Sequence, residues 1–362
     1  MDSSILLPNS VFHNPILDID DQNKTHTINK LIRDFTLTAD TLFNIKRVFI
    51  DEMEAGLALA PDSKSSLLMQ NTFVPEFPDG NESGYYLSLD LGTTNLRVIL
   101  SKLVGGSQKG VDNEFTVKYY DIPNECRRGS SDNLFTFLAE CIDDFVAESL
   151  PGYGKRLALG FTFSFPMTMT ALNVGILETW TKNFDCPDAV RVDCARLLQE
   201  AIDRRPGPLP VDVVAILNDS TGSLVMGAYL DRDCAVAMIL GTGHNACYIE
   251  RADRIGKWAD REGSVYADVR EVAINIESGA FGDNGCLDFV RTPVDDQLDR
   301  ESLFPRSFTF EKYISGHYIG DIVRRVLLLL TQKGVLFGGH PSDALKTMDS
   351  ISSADLSIIE GY

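Results

Sequence analysis

The sequence lacks the features of a secreted, membrane-spanning or disulfide-built protein. Its seven cysteines are scattered and form no CxxC pair, which predicts reduced thiols rather than a disulfide framework. The apolar run LLLL at residues 327–330 is far too short to cross a bilayer. The first residues, MDSSILLPNSVFHN, have neither the basic segment nor the long apolar run of a secretion signal. We therefore expect a cytoplasmic protein without a membrane partner.

Positive charge is also scarce. Lys and Arg total 33 against 52 Asp and Glu, which gives a net charge of −19. A nucleic-acid-binding surface needs clustered positive charge to neutralise phosphates, so nucleic acid is not an expected partner. Hydrophobic residues make up 44% of the 362 residues and charged residues 23%, which is typical of a globular chain with a sizeable core. The length favours two domains.

The stretch YYLSLDLGTTNLRVIL at residues 85–100 is predicted to form a strand, a tight turn and a second strand. Its turn, DLGTTN at residues 90–95, combines a carboxylate, a glycine and two hydroxyls. Backbone N–H groups and hydroxyls in such a turn can hold a phosphate, with a hydrated divalent cation beside Asp90. The alternative is an ordinary hairpin with a Gly-Thr turn, because the P-loop pattern GxxxxGK[ST] is absent.

Hydrophobic spacing predicts the remaining elements. The predicted helices cover residues 27–60, 134–150, 188–204, 221–230 and 310–332, and the predicted strands cover residues 115–122, 157–165, 211–217, 235–241 and 246–250. Thr38 or Asp40 is expected to cap the second helix within the first of these segments. Groups of strands followed by helices occur twice, after Tyr85 and after Val211. This recurrence predicts a duplicated α/β architecture with a cleft between the halves.

Seven motifs follow one another along the chain. They are DLGTTNLR (90–97), LGFTFSFP (159–166), LETWTK (177–182), LNDSTGSL (217–224), GTGHNACY (241–248), NIESGAFG (275–282) and FEKYISG (310–316). In this order they resemble the hexokinase family in its fungal branch, from about residue 27 to the end. The resemblance implies an α/β fold of the actin-like ATPase type, in which two ribonuclease-H-like domains close over a sugar and ATP. It divides the chain into an N-terminal helical part of the large domain (1–79), a small domain (80–217) and a truncated large domain (218–362).

The family transfers the γ-phosphoryl group of ATP to the 6-hydroxyl of a hexose, the entry step of glycolysis. The resemblance therefore implies a hexose and ATP as substrates and Mg²⁺ as the metal. Asp219 matches the catalytic base, although by itself it would be interpreted as a helix N-cap. Thr181 and Lys182 match the sugar-loop pair, and Lys182 is also assigned to catalysis. The other matching sugar-hydroxyl partners are Ser164, Asn218, Asn245, Glu277 and Glu311.

Two glycine-rich turns match the nucleotide-binding positions of the family. They contribute Asp90, Gly92, Thr93, Thr94 and Asn95 from the first turn and Gly241, Thr242 and Gly243 from the second. Asp90 is also the candidate metal ligand, acting through water. Simpler roles stay open for two sugar-binding candidates. Asn245 would then only shape a turn, and Glu311 would only favour a helix start through the helix dipole.

Several positions depart from the family pattern. His244 stands where Thr or Val is usual, and Ser278 stands where an aromatic residue follows Glu277. Arg306 and Phe308 stand where the family has Gly and Gln. Because that Gln contributes to the sugar cradle and Phe cannot hydrogen-bond a hydroxyl, weaker sugar binding is expected.

Family members also continue past the end of this sequence with glycine-rich motifs that hold adenosine. The large domain is therefore expected to be incomplete, either because the sequence is a fragment or because the full nucleotide site has been lost. These departures leave a second hypothesis open, a catalytically impaired and sugar-responsive regulator. The preferred hexose, the oligomeric state and any regulatory partner are not predicted.

Overall fold

The computed structural model describes residues 19–59, 64–92, 95–105, 113–181, 183–205, 210–261 and 264–361. Its framework is one five-stranded and one four-stranded β-sheet, with a separate two-stranded hairpin. The strands in chain order are β1 (Gln70–Asn71), β2 (Ser83–Leu91), β3 (Asn95–Val104), β4 (Glu114–Asp121), β5 (Leu157–Phe163), β6 (Met167–Ala171), β7 (Val174–Leu177), β8 (Val211–Leu217), β9 (Val236–Leu240), β10 (His244–Arg251) and β11 (Glu271–Asn275).

The α-helices surround these sheets, and short 3₁₀ turns lie between some of them. In chain order the helices are α1 (Gln22–Ile32), α2 (Ala39–Leu57), α3 (Asn124–Arg127), α4 (Ser131–Ser149), α5 (Cys194–Asp203), α6 (Asp219–Leu230), α7 (Pro293–Glu301), α8 (Thr309–Ile314), α9 (Gly316–Gln332), α10 (Asp343–Lys346) and α11 (Ser353–Glu360). None of these helices combines the length and the apolar character needed to span a bilayer.

The five-stranded sheet has the order β4-β3-β2-β5-β8. Strand β3 runs antiparallel to both β2 and β4, whereas β2, β5 and β8 run parallel to one another. Helices α4 and α5 cover this sheet, and a core that includes the buried rings of Phe135, Phe145, Phe161 and Phe163 fills the space between them. The parallel strands end at one common edge of the sheet, which is where polar motif residues follow two of them.

The four-stranded sheet is antiparallel throughout, in the order β1-β11-β10-β9. A second core that contains Trp258 and Phe281 packs on this sheet together with α2. A third, smaller cluster joins Leu224 of α6 to Val74, Cys247 and Ala273. Since α6 begins directly after β8, this small cluster connects the last strand of one sheet to the face of the other.

The structure confirms the central hairpin and most predicted elements. The predicted helical segment over residues 27–60 contains two helices, and Thr38 caps the second, as expected, by accepting from the Thr41 N–H.

Two predicted helices differ from the structure. The helix predicted over residues 188–204 begins only at Cys194, where Asp193 is the N-cap. The helix predicted over residues 310–332 is interrupted at Ser315. There the N–H of Gly316 donates to the carbonyl of Gly241 at 2.8 Å, so a tertiary contact replaces the helical pairing. Strands β1, β6, β7 and β11 and helices α3, α7, α10 and α11 were not predicted.

A buried charge cluster holds α9 in place. The side chains of Asp321, Arg324 and Arg325 are each at most 4% exposed, and Asp321 accepts hydrogen bonds from both guanidinium groups. Burial by itself would raise the pKa of Asp321, but the hydrogen bonds from Arg324 and Arg325 outweigh burial and lower that pKa below its usual value. The cluster is stabilising only while all of its charges are paired.

We predict that Asp321→Ala lowers the free energy of unfolding by about 3–5 kcal/mol, because two buried guanidinium groups lose their shared carboxylate. Urea denaturation at neutral pH measures this loss. The pKa of Asp321 is lower in the folded chain than in the unfolded chain. Its contribution to the free energy of unfolding is therefore present above the unfolded pKa of about 3.9 and is lost as the pH falls from there through the folded pKa. The exposed Asp343→Ala variant is the control and should unfold like the native chain. Equal effects of the two substitutions would contradict this role.

Candidate active site

The candidate residues gather where the parallel strands of the five-stranded sheet end. In the register of the sheet, Asp90 pairs with Thr162, and Thr162 pairs with Leu217. Because neighbouring strands lie about 4.8 Å apart, Asp90 and Leu217 are about 10 Å apart across this edge. Ser164 follows β5, and Asn218 follows β8. The fold thus brings together residues that are far apart in the sequence.

Asp219 is the first residue of α6, and Asn218 is its N-cap. The N–H of Ser220 donates to Asn218 Oδ1 at 3.0 Å and to Asp219 Oδ1 at 2.8 Å. Ser220 and Thr221 are fully buried, whereas Asp219 is only half-buried. Buried Ser220 and Thr221 therefore anchor the helix start, while the Asp219 side chain stays half-buried next to the cleft-lining residue Asn218.

A network of amide and carboxylate groups joins this helix start to the four-stranded sheet. Asn245 Nδ2 donates to Asn275 Oδ1 at 2.8 Å and lies 3.2 Å from Asn218 Oδ1. Asn275 Nδ2 in turn donates to Glu277 Oε1 at 2.6 Å. Glu277 has a φ of 57°, an unusual left-handed conformation for a residue other than glycine. The network thus connects three predicted sugar-binding residues through Asn275, which was not predicted although it begins a motif.

Glu311 reaches the same region from the first turn of α8. Its Oε2 accepts a hydrogen bond from the backbone N–H of His244 at 2.8 Å. Gly243 leaves the room for this contact, since a Cβ atom there would lie 2.8 Å from the same oxygen. The second glycine-rich turn therefore carries both a candidate phosphate contact and the backbone that holds Glu311.

A small cleft lies beside this network. Its apolar wall is formed by Phe165, Met167 and Met169. Its polar wall contains Gln70, Asn71, Thr72, Asn218, Thr221, Asn275 and Glu277. The two walls touch where Gln70 Nε2 donates to the carbonyl of Met167 at 3.0 Å.

The sugar loop is only partly described. Lys182 lies outside the described residues, as do Thr93 and Thr94 of the first turn. The half-buried Thr181 follows Trp180, whose Nε1–H donates to the carbonyl of Cys186 at 2.7 Å and whose ring stacks on Phe184. This aromatic cluster fixes the position of the loop that carries Thr181.

The two phosphate turns differ in how they are held. In the first turn, the N–H of Gly92 donates to the carbonyl of Asn95 at 3.1 Å, and Arg97 pairs with Asp90 across the hairpin. In the second turn, the N–H of Gly241 donates to the carbonyl of Gly243 at 3.0 Å. Thr242 is exposed at its tip. Among the described residues, no cluster of three or more His, Cys, Asp or Glu side chains forms a metal site.

The loop before α8 is held by two aspartates that sequence reasoning missed. Arg306 and Phe308 both have left-handed φ angles, of 62° and 59°. Asp299 accepts from the N–H of Arg306 at 2.9 Å, and Asp283 accepts from the N–H of Phe308 at 3.0 Å. The Phe308 ring packs against Phe304 and is not among the residues that line the cleft. Neither aspartate carries a sequence signal, since each acts across a loop.

Comparisons with known proteins identify the family of this chain. Family models described as hexokinase match residues 27–229 and 235–362. Hexokinase-1 of Mus musculus is 42% identical over 333 residues, which covers 92% of this chain and 33% of the mouse protein. Hexokinase-2 of Homo sapiens is 41% identical over 331 residues, covering 91% of this chain and 35% of the human protein. The chain thus spans about a third of the length of these relatives.

The chain is also similar to a solved hexokinase from Schistosoma mansoni complexed with glucose. That structure aligns with a TM-score of 0.81 at 35% identity and covers 95% of this chain and 74% of the other. The chain therefore belongs to the hexokinase family. Its fold is the two-domain α/β fold of the actin-like ATPases, as the motifs implied.

We predict that Asp283→Ala destabilises the protein by about 1–3 kcal/mol, because the N–H groups of Phe308 and Thr309 lose a half-buried acceptor. Urea denaturation gives the loss. Asp21→Ala is a matched control, since Asp21 also accepts from two N–H groups, of Asn23 and Lys24, but at an exposed helix start where water can replace it. If the two variants lost equal stability, Asp283 would be an ordinary cap.

Proposed function

We propose that this chain catalyses the ATP-dependent phosphorylation of a hexose, such as glucose, at its 6-hydroxyl. The observation that carries the proposal is the position of Asp219. Its half-buried side chain lies at the start of α6, beside the hydrogen-bonded network of Asn218, Asn245 and Glu277. A neutral polyol needs many donors and acceptors around it and one base at the reacting hydroxyl, and this arrangement provides both.

The cradle for the sugar is formed by amides, carboxylates and hydroxyls. Each carboxylate oxygen can accept from a sugar hydroxyl, and each amide can both donate and accept. The proposed sugar-binding residues are Ser164, Thr181, Lys182, Asn218, Asp219, Asn245, Glu277 and Glu311. The hydrogen bonds among Asn218, Asn245 and Glu277 reduce the number of conformations these side chains can adopt, which lowers the entropic cost of binding.

In the proposed reaction, Asp219 accepts the proton of the 6-hydroxyl while the hydroxyl oxygen attacks the γ-phosphorus of ATP. The bond between that phosphorus and the β–γ bridging oxygen breaks, and ADP leaves. Lys182 balances the negative charge that accumulates around the transferred group. The turns at Asp90, Gly92, Thr93, Thr94 and Asn95 and at Gly241, Thr242 and Gly243 would hold the phosphates. Backbone N–H groups in such turns suit phosphate oxygens and require no net positive surface.

The donor set fits Mg²⁺, which is commonly bound through one or two carboxylates together with substrate phosphates and water. Asp90 would hold the ion through water, although Arg97 already donates to one of its oxygens. Asp90 and Asp219 lie at the same edge of the five-stranded sheet. When bound, Mg²⁺ would neutralise part of the phosphate charge.

We further infer a small domain of residues 80–217 that closes on a large domain made of residues 1–79 and 218–362. The cleft between the two sheets and the direct step from β8 into α6 support this division. Closure would exclude water, which otherwise competes as a phosphoryl acceptor. A cytoplasmic location, a role at the entry of glycolysis, and the absence of nucleic-acid and membrane partners complete the proposal.

The alternative, an impaired sugar-responsive regulator, is not favoured. It was based on the substitutions at Ser278, Arg306 and Phe308 and on the expected incomplete nucleotide site. The ring of Phe308 packs against Phe304. The relatives with about 42% identity are hexokinases, and one neighbouring structure contains glucose. These observations favour an enzyme.

We predict that Asp219→Asn lowers the turnover number at least about 100-fold, while the affinity for glucose measured by calorimetry changes little. The substitution keeps the shape and the hydrogen bond to Ser220 but removes the proton acceptor. A coupled assay of ADP release measures turnover. Asp231→Asn, at the other end of the same helix, is the control and should retain native turnover. Near-native turnover in Asp219→Asn would show that Asp219 is not the catalytic base.

We also predict that saturating glucose reduces the radius of gyration, because the two domains close on the sugar. Small-angle X-ray scattering with and without glucose measures the change. A hexitol that lacks the closed ring serves as the ligand control and should leave the radius unchanged. An identical radius with glucose, at a concentration where calorimetry shows binding, would exclude domain closure.

A further inference from the structure

His244 is buried between the turn that precedes β10 and the 3₁₀ turn Ser278–Ala280. It is 6% exposed, with Nδ1 3.1 Å from the carbonyl oxygen of Ile239 and Nε2 3.1 Å from Ser278 Oγ. Because a carbonyl oxygen only accepts, Nδ1 carries the proton, and Nε2 accepts the Ser278 hydroxyl. Burial lowers the pKa of His244, which keeps the ring neutral near neutral pH. Both ring nitrogens are therefore used in fixed roles.

The same histidine holds Glu311. Its backbone N–H donates to Glu311 Oε2 at 2.8 Å, and its ring meets the ring of Phe310 edge-on at 5.3 Å. Gly279 closes the arrangement from the other side, since a Cβ atom there would lie 3.0 Å from the carbonyl oxygen of His244 and 3.4 Å from Glu311. The ring and the backbone N–H of His244 thus contact two neighbouring residues of α8, Phe310 and Glu311.

Ser278 connects this arrangement to the other candidate carboxylate. It directly follows Glu277, is 1% exposed, and donates its N–H to Asn245 Oδ1 at 3.3 Å. The hydrogen bond between Ser278 and His244 thus links the backbone beside Glu277 to the backbone that holds Glu311. These are also two of the positions at which the sequence departs from the family pattern. Compared with the family pattern, position 278 has no aromatic side chain, whereas position 244 has an imidazole ring that contacts residue 278.

We propose that His244 and Ser278 form a positioning pair that sets the placement of Glu277 relative to Glu311 and so determines hexose affinity. Neither side chain needs to touch the sugar. The inference rests on the proposed function, because it assumes that both glutamates bind hexose hydroxyls. An aromatic residue at position 278 would provide a contact surface. Here the hydrogen bond between His244 and Ser278, together with the buried His244 ring, provides that contact instead.

The test uses Ser278→Ala, Ser278→Cys, His244→Val and the double variant of His244→Val with Ser278→Ala. We expect each of the alanine and valine variants to raise the glucose Kd and KM roughly three- to tenfold, the size of one lost hydrogen bond. The turnover number and the KM for ATP should change less than about twofold. Because a thiol is a weaker donor than a hydroxyl, the glucose Kd and KM of Ser278→Cys should lie between those of the native chain and of Ser278→Ala. The double variant should bind glucose at least as tightly as the single variant with the lower affinity, because both substitutions remove the same hydrogen bond.

Tyr248→Phe is the matched control. It also removes one hydrogen bond made by a β10 side chain, here to Glu250 at 2.8 Å, but that bond touches no candidate residue. Its glucose affinity should be native. Thermal unfolding of every variant separates lost affinity from lost folding, and Ser278→Ala decides the case if His244→Val does not fold.

Two failures are distinguishable. If the native chain binds no glucose, both the proposed function and this inference fall. If the native chain binds glucose but Ser278→Ala matches Tyr248→Phe, or the two single effects add in the double variant, the positioning pair alone is wrong.

Discussion

The site depends on the hydrogen-bond network that joins the start of α6 to the four-stranded sheet. Helix α6 begins immediately after β8, so its first residues belong to the edge of the five-stranded sheet. Asn218, Ser220, Asn245 and Asn275 then connect this edge to β10 and β11 through contacts of 2.8–3.3 Å. A buried amide that loses its partner costs more than the hydrogen bond contributes, so these groups act as a unit. The hydrogen bonds of these neighbouring residues fix the position of Asp219.

Backbone strain occurs in several of the motif segments and in the loop before α8. Asn183, Glu277, Arg306 and Phe308 all have φ angles between 57° and 66°, although none of them is glycine. Residues in this region cost of order 1–3 kcal/mol each and persist only where surrounding contacts determine the conformation. At the loop before α8 those contacts come from Asp283 and Asp299. The strain is therefore offset by carboxylates that themselves lie outside the cleft.

The charge of the chain is consistent with its proposed substrates. A net charge of −19 opposes a phosphate ligand at long range, so any phosphate must be held by local groups. Backbone N–H groups in the two glycine-rich turns, Lys182 and a divalent cation are groups of that kind. The sugar is uncharged and is unaffected by the net charge. Acidic residues can therefore line the sugar cleft without weakening the binding of its ligand.

Much of this could be predicted from the sequence. The hairpin at residues 85–100, the helix that became α4 and the buried strand β8 follow from hydrophobic spacing, which is a local property. The motif residues Asn218, Asn245 and Glu277 were also identified, and the structure brings them into contact. The helices predicted over residues 188–204 and 310–332 differ from the structure, because the cap at Asp193 and the tertiary contact between Gly316 and Gly241 override periodicity.

What the sequence determined by itself was the order of elements and the identity of the polar residues at strand ends, because both depend on neighbours along the chain. The tertiary structure alone decided which of those residues meet. Asp283 and Asp299 support the loop before α8 from distant segments, and Gln70 bridges to Met167 across the cleft. The contact between His244 and Ser278 joins residues 34 positions apart. Such contacts depend on how the sheets pack, and no spacing along the chain encodes them.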